Sequence, residues 1–202
     1  MSSRRILAVS ICLGLAIGHV AAAVAQQSPQ GTLSGTPLAQ GNAQSELTEL
    51  FAAFCLMKFP DANAADLYAR IKGFKPMPEE RLRATLGKDP GTGWLYDAGF
   101  GTYAITIEHP PHATCTIGNR SPRVGDIKAA FGTLLTLWAG AQHTGSITGL
   151  PPRKAEISGR RTETYLWELA SPKGKETFMA LVTPGSSGAE TEVRLVRSIG
   201  KE

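Results

Sequence analysis

Thr162–Ile199, TETYLWELASPKGKETFMALVTPGSSGAETEVRLVRSI, is the stretch that decides the fold. It holds three runs of strand-forming composition, Thr162–Leu169, Thr177–Thr183 and Thr191–Ile199. Ser171-Pro172-Lys173-Gly174 and Pro184-Gly185-Ser186-Ser187-Gly188 separate them, and such residues supply the backbone conformations that tight turns require. Three strands joined so closely run antiparallel as a meander. Phe178-Met179-Ala180-Leu181-Val182 is apolar on both faces, which predicts a central strand covered by a helix.

Upstream, the period is also two from Thr102 to Glu108, where Tyr103, Ile105 and Ile107 alternate with Thr102, Thr106 and Glu108. Thr114–Gly118 follows the kinked His109-Pro110-Pro111-His112, and the two strands pair as a hairpin with Cys115 near the core. Between hairpin and meander, Asp126 caps the longest helix, whose apolar face is Ile127, Ala130, Phe131, Leu134, Leu135 and Trp138. Its other face is largely uncharged, which predicts deep packing on both sides.

Three shorter helices precede the hairpin. Ser45 caps the first, in which Leu47, Leu50, Phe51, Phe54 and Cys55 recur at three- and four-residue spacing until Pro60 stops it. Asp61 caps the second, with a predicted buried stripe of Ala64, Leu67, Tyr68 and Ile71 ended by Gly73. Pro78 opens the third, which runs through Leu82 and Leu86 to Gly87. Lys88-Asp89-Pro90-Gly91-Thr92-Gly93 reads as a loop. The expected class is α+β, an antiparallel sheet of about five strands with the N-terminal helices and the long helix packed on it, and one disulfide.

The N-terminus reads as an address. Arg4 and Arg5 precede the apolar stretch Ile6–Val24, which closes on Ala23-Val24-Ala25, the pattern of a secretory signal peptide cleaved after Ala25. Ile11 before Cys12 argues against lipid attachment, and Leu7-Ala8-Val9 after the arginines argues against twin-arginine export. No second apolar run approaches the about 18 residues of a membrane helix, so no span is expected after cleavage. Residues 26–44 lack charge and aromatics and read as a flexible linker, leaving 45–202 as a single globular domain. A periplasmic or secreted location follows.

Cleavage removes Arg4 and Arg5 and halves the chain's net charge of +4. The remaining basic residues are scattered. Arg153-Lys154 and Arg160-Arg161 are the one concentration, read as a solvated loop, and no nucleic-acid partner is expected. Cleavage also removes Cys12, so Cys55 and Cys115 are left as a pair suited to a disulfide in an oxidising compartment. That bond would staple the first helix onto the hairpin.

Candidate chemistry is sparse. His109 and His112 would project from one side of a polyproline turn, with Cys115 three residues on, a set that could hold copper or zinc through the imidazole nitrogens, with or without the thiolate. Trp94 and Tyr96, beside flexible glycines, could line a ligand groove with His112. Gly99-Phe100-Gly101-Thr102-Tyr103-Ala104 matches a loose dinucleotide pattern but leads into a strand, so no cofactor is expected. Glu108 and His143 are raw material for acid–base work, although His143 at a helix end is also placed to complement the dipole. No G-x-S-x-G, H-E-x-x-H or phosphate loop is present.

Phe54-Cys55-Leu56-Met57-Lys58-Phe59-Pro60-Asp61 and Leu86-Gly87-Lys88-Asp89-Pro90-Gly91-Thr92-Gly93-Trp94 resemble a family of small secreted or lipoprotein-type proteins of Gram-negative bacteria. The resemblance covers about residues 47–115. It implies an envelope location and a paired Cys55 and Cys115, and carries no established activity. The expected function is a non-catalytic envelope protein that binds a partner protein or a small ligand. The alternatives are a metal-binding protein using His109 and His112 and a cofactor-free envelope hydrolase.

Overall fold

The structure, a computed structural model, describes residues 42–121, 125–142, 145–157, 159–171, 174–186 and 190–200. The stretch read as a signal peptide, Cys12, most of the expected linker and His143 lie outside them.

The first helix, α1 (Ala43–Phe51), starts earlier than predicted. Asn42 is its cap, accepting a hydrogen bond from the Ser45 backbone N–H at 2.8 Å, so the helix takes in two residues of the expected linker. The chain continues as a π-helical turn, Ala52–Leu56, that buries Phe54, Cys55 and Leu56.

Asp61 caps α2 (Ala62–Ile71) through the N–H groups of Asn63 and Ala64, both at 3.0 Å. The stripe predicted for this helix is wrong at Leu67 and Ile71, while Ala64 and Tyr68 are half-buried. Ala65 and Ala69 are buried, whereas Leu67 and Ile71 stand 60% and 73% exposed. The reason lies in Phe54, which meets Tyr68 edge-on at 5.2 Å and Phe74 at 5.2 Å. These rings fill the space between the helices, so α2 docks through Tyr68 and its alanines.

The strands are β1 (Lys75–Pro76), β2 (Gly91–Ala98), β3 (Gly101–Glu108), β4 (Ala113–Ser121), β5 (Ile147–Ile157), β6 (Arg160–Ser171), β7 (Gly174–Pro184) and β8 (Thr191–Ile199). They form one antiparallel sheet in the order β1-β2-β3-β4-β8-β7-β6-β5. The α+β class and the disulfide stand, but the sheet has eight strands rather than about five. The hairpin β3–β4 and the meander β6–β7–β8 are as predicted, and β7 is central.

Two of the missed strands have a physical explanation. Gly91 and Gly93, read as loop residues, lie inside β2, where α3 (Glu79–Leu86) presses on them. A Cβ at Gly91 would collide with Leu86 and with the carbonyl of Ile107, and one at Gly93 would meet Leu82 at 2.9 Å. Here glycine marks a close approach rather than a break. In β5, Pro151 and Pro152 sit where the register shifts between Leu150 and Arg153. β5 is an edge strand, where a missing N–H costs no ladder bond. The presumed loop carrying Arg153-Lys154 and Arg160-Arg161 is therefore a β-hairpin. The third, β1, has only two residues.

The long helix α4 (Ile127–Gln142) is capped by Asp126, which accepts from the Ala129 N–H at 3.0 Å. Ile127, Phe131, Leu135 and Ala139 are buried, and Phe131 meets Phe51 and Trp167 edge-on at 4.8 and 5.3 Å. Its largely uncharged outer face is not packed as predicted. Lys128, Ala129, Thr133 and Thr136 are exposed there, and Leu137 is 68% exposed. Among the described residues no helix is long and apolar enough to cross a membrane.

Register defines the two faces of the sheet, since directly paired residues share a side. Trp94, Ile105, Ile117, Leu195 and Ala180 pair in sequence across five strands and are buried under the helices. Gly93, Thr106, Thr116 and Val196 head the parallel row on the opposite face, where α3 packs on β2.

Candidate functional site

The structure pairs Cys55 with Cys115 at an S–S distance of 2.04 Å, with both residues fully buried. Cys115 is therefore not a metal ligand. His109-Pro110-Pro111-His112 is a turn between β3 and β4 rather than a polyproline stretch, with His109 half-buried and His112 exposed. The His109 backbone N–H donates to Pro90 O at 2.8 Å, and its buried Nε2 has no hydrogen-bond partner. Among the described residues, no three His, Cys, Asp or Glu side chains gather as metal ligands.

Trp94 and Tyr96 belong to the core face. Trp94 lies 5.7 Å from Phe54, and Tyr96 stacks on Phe74 at 4.3 Å. Neither they nor His112 line either of the two cavities described below. Gly99 and Phe100 form the turn of the β2–β3 hairpin, and no helix follows to receive a phosphate. Glu108 pairs with Gly91 and Thr114.

Among the described residues, two surface cavities stand out, and no histidine lines either. One, of about 600 Å3, runs beside α4 over Trp167 and is lined by Asp126, Lys128, Thr133 and Leu137. The other, of about 550 Å3, lies on the opposite face of the sheet, between α3 and β8. Its floor is small and hydroxylated: Thr102, Ala104 and Thr106 from β3, Thr116 and Gly118 from β4. Arg81 and Thr85 of α3 form one wall, and Arg120, Glu190, Glu192 and Arg194 the other.

Register builds the charged wall. Arg120 pairs with Glu192 and Gly118 with Arg194 across β4 and β8, which places all three side chains on this face. Arg194 donates to Glu192 Oε1 through Nε and Nη2 at 2.9 and 2.6 Å. Arg160 Nη2 donates to Oε2 at 2.7 Å, and Arg120 Nη2 to the same oxygen at 3.3 Å. Burial alone would raise the Glu192 carboxyl, but the hydrogen bonds and charges of Arg160 and Arg194 outweigh it and hold it at about 2. One carboxylate thus faces three permanent cations. Each guanidinium carries five N–H donors, so most of theirs are left for other acceptors.

This cluster escapes sequence reading because its members come from β4, β6 and β8 and meet only through the strand order. Arg197 is different. It breaks the inward alternation Val193, Leu195, Arg197, Ile199 of β8, a signal visible in the sequence, and it is buried at 5% exposure.

Fold and groove together define an α+β protein with a helix-backed antiparallel sheet and an arginine-walled, threonine-floored groove on the free face. Compared with known proteins, the chain matches no family model, no curated protein and no solved structure.

Proposed function

We propose that this chain is an exported, non-catalytic envelope protein that binds a small anionic ligand in the groove between α3 and β8. The observation that carries the reading is the convergence of Arg120, Arg160 and Arg194 on the single carboxylate of Glu192 at the groove wall. Opposite them, Arg81 adds a further cation on α3. Arginine is suited to carboxylates and phosphates because its planar donors engage two oxygens at once. The threonine floor adds donors without filling the space. Export is supported by the leader-like residues 1–25, by the resemblance over residues 47–115, and by a disulfide of the kind that persists in oxidising compartments.

Calorimetric titration at low salt with acetate, succinate and inorganic phosphate tests the proposal. Saturable binding is expected, weakened at least fivefold by Arg81→Gln, whose side chain is exposed and lies outside the Glu192 cluster. Gly118→Val should block the groove while preserving the fold, because a Cβ there meets Arg194 Cγ and Val193 O at ordinary distances of 3.6 and 3.7 Å. Absence of saturable binding by all three anions, or binding unchanged in both variants, would overturn the reading.

A further inference from the structure

The free face of the sheet changes character next to the groove. Thr116 of the floor pairs with Val196, Val196 with Met179, Met179 with Leu166, and Leu166 with Leu150, a single row from β4 to β5. After the threonine every member is apolar. Val196 is 7% exposed and the other three are partly exposed. A solvated sheet face ordinarily carries polar side chains at such positions. The neighbouring rows do: Ser198, Thr177 and Glu168 lie on one side, Arg194 and Thr164 with Leu181 between them on the other. Among the described residues, α3 is the one helix on this face, and it packs on β2 at the far side of the groove.

We infer that the ligand is a single-chain amphiphile, its anionic head held by Arg81, Arg120 and Arg194 and its hydrocarbon chain laid along Val196, Met179, Leu166 and Leu150. This inference rests on the groove being an anion site. The row is narrow, flanked by Ser198, Thr177 and Glu168 on one side and by Arg194 and Thr164 around Leu181 on the other, which fits one chain. A bilayer surface would have to desolvate Glu168 and Glu192 as well. Strands lie about 4.8 Å apart, so the row from β8 to β5 spans about 14 Å, the reach of about eleven extended methylenes.

The test is a calorimetric series of monomeric acetate, octanoate, decanoate and laurate, with decanol as the neutral control and phosphatidylglycerol vesicles as the membrane control. Affinity should rise about two- to fourfold for each added methylene, as expected for burial of a chain. Decanol should bind at least tenfold more weakly than decanoate. Leu166→Gln with Met179→Gln should flatten the chain-length dependence and leave acetate binding unchanged, with near-ultraviolet circular dichroism reporting the fold. Equal affinity for all four carboxylates would overturn the inference and leave the anion site standing. No binding of any carboxylate would overturn both, and binding to vesicles without binding to monomeric laurate would overturn the single-ligand form. Decanol binding as tightly as decanoate would remove the role of the arginines.

Discussion

The guanidinium of Arg197 reaches across 142 positions of sequence to the backbone carbonyl of Cys55, with Nη1 2.6 Å from the oxygen. Cys115 and Arg197 are register partners on β4 and β8, so Cys55 is held twice, through its sulfur and through its carbonyl. The final carbonyls of a helix lack partners within it, and at the end of the π-helical turn Arg197 supplies one. Its charge is balanced by Glu176 at 2.8 Å, and the rings of Trp138, Phe59 and Phe178 surround it at 4.9, 5.5 and 5.9 Å. Burial pushes the guanidinium pKa down and Glu176 pushes it back.

Removing this cation should unlock the helix from the sheet. Arg197→Met leaves the half-buried Glu176 carboxylate and the buried Cys55 carbonyl without their donor, and should cost about 3 kcal/mol in urea unfolding. Adding Glu176→Gln should recover part of that loss. A loss under about 1 kcal/mol would contradict the role assigned here.

The disulfide closes a loop with a sequence separation of 60. Its removal by Cys55→Ala with Cys115→Ala should lower stability by about 4 kcal/mol on the chain-entropy model. Titration of the denatured, unreduced chain lacking residues 1–25 should detect no free thiol. Two free thiols would refute the pairing.

Acid should act through Glu192. Its folded pKa, about 2, lies below its ordinary 4.5, so its contribution is fully present above the ordinary value and is lost as pH falls toward 2. Denaturation midpoints measured from pH 6 to pH 2 should fall along this limb in the unmutated protein. Glu192→Gln should flatten it. An identical acid limb in the variant would show that other carboxylates govern it.

Two glycines should respond to alanine with opposite signs. At Gly91 the added methyl meets the Ile107 carbonyl and Leu86, and overpacking of that kind costs about 1–3 kcal/mol. At Gly140 in α4 nothing lies within 4 Å, and the gain in helix propensity should stabilise by about 0.5–1 kcal/mol. Thermal unfolding of both variants checks the pair.

These examples separate what local sequence could reveal from what it could not. Period-two alternation and caps such as Asp61 and Asp126 were sufficient for the hairpin, the meander and the helices, and Cys55 beside Phe54 pointed inward as its spacing implied. Gly91 and Gly93 misled because their meaning depends on α3, which touches them from another part of the chain. Leu67 and Ile71 misled because size alone does not choose a helix face when a neighbouring Phe54 occupies the space. The arginine wall was invisible for a third reason: the pairing of β4 with β8 brings together residues about seventy positions apart, and no local pattern encodes it.

That pairing also bears on how the molecule is made. β8, the final strand of this sequence, sits between β4 and β7 instead of at an edge. Without residues 191–199, nothing in the sheet order would join β1–β4 to β5–β7, and β4 and β7 would each present an open edge able to pair with a foreign strand. Closure must await the end of the stretch, and a chain cut short before Thr191 loses the seam that joins its halves. For a protein proposed to cross a membrane before folding, this late seam would keep the sheet from closing while β8 is still being made.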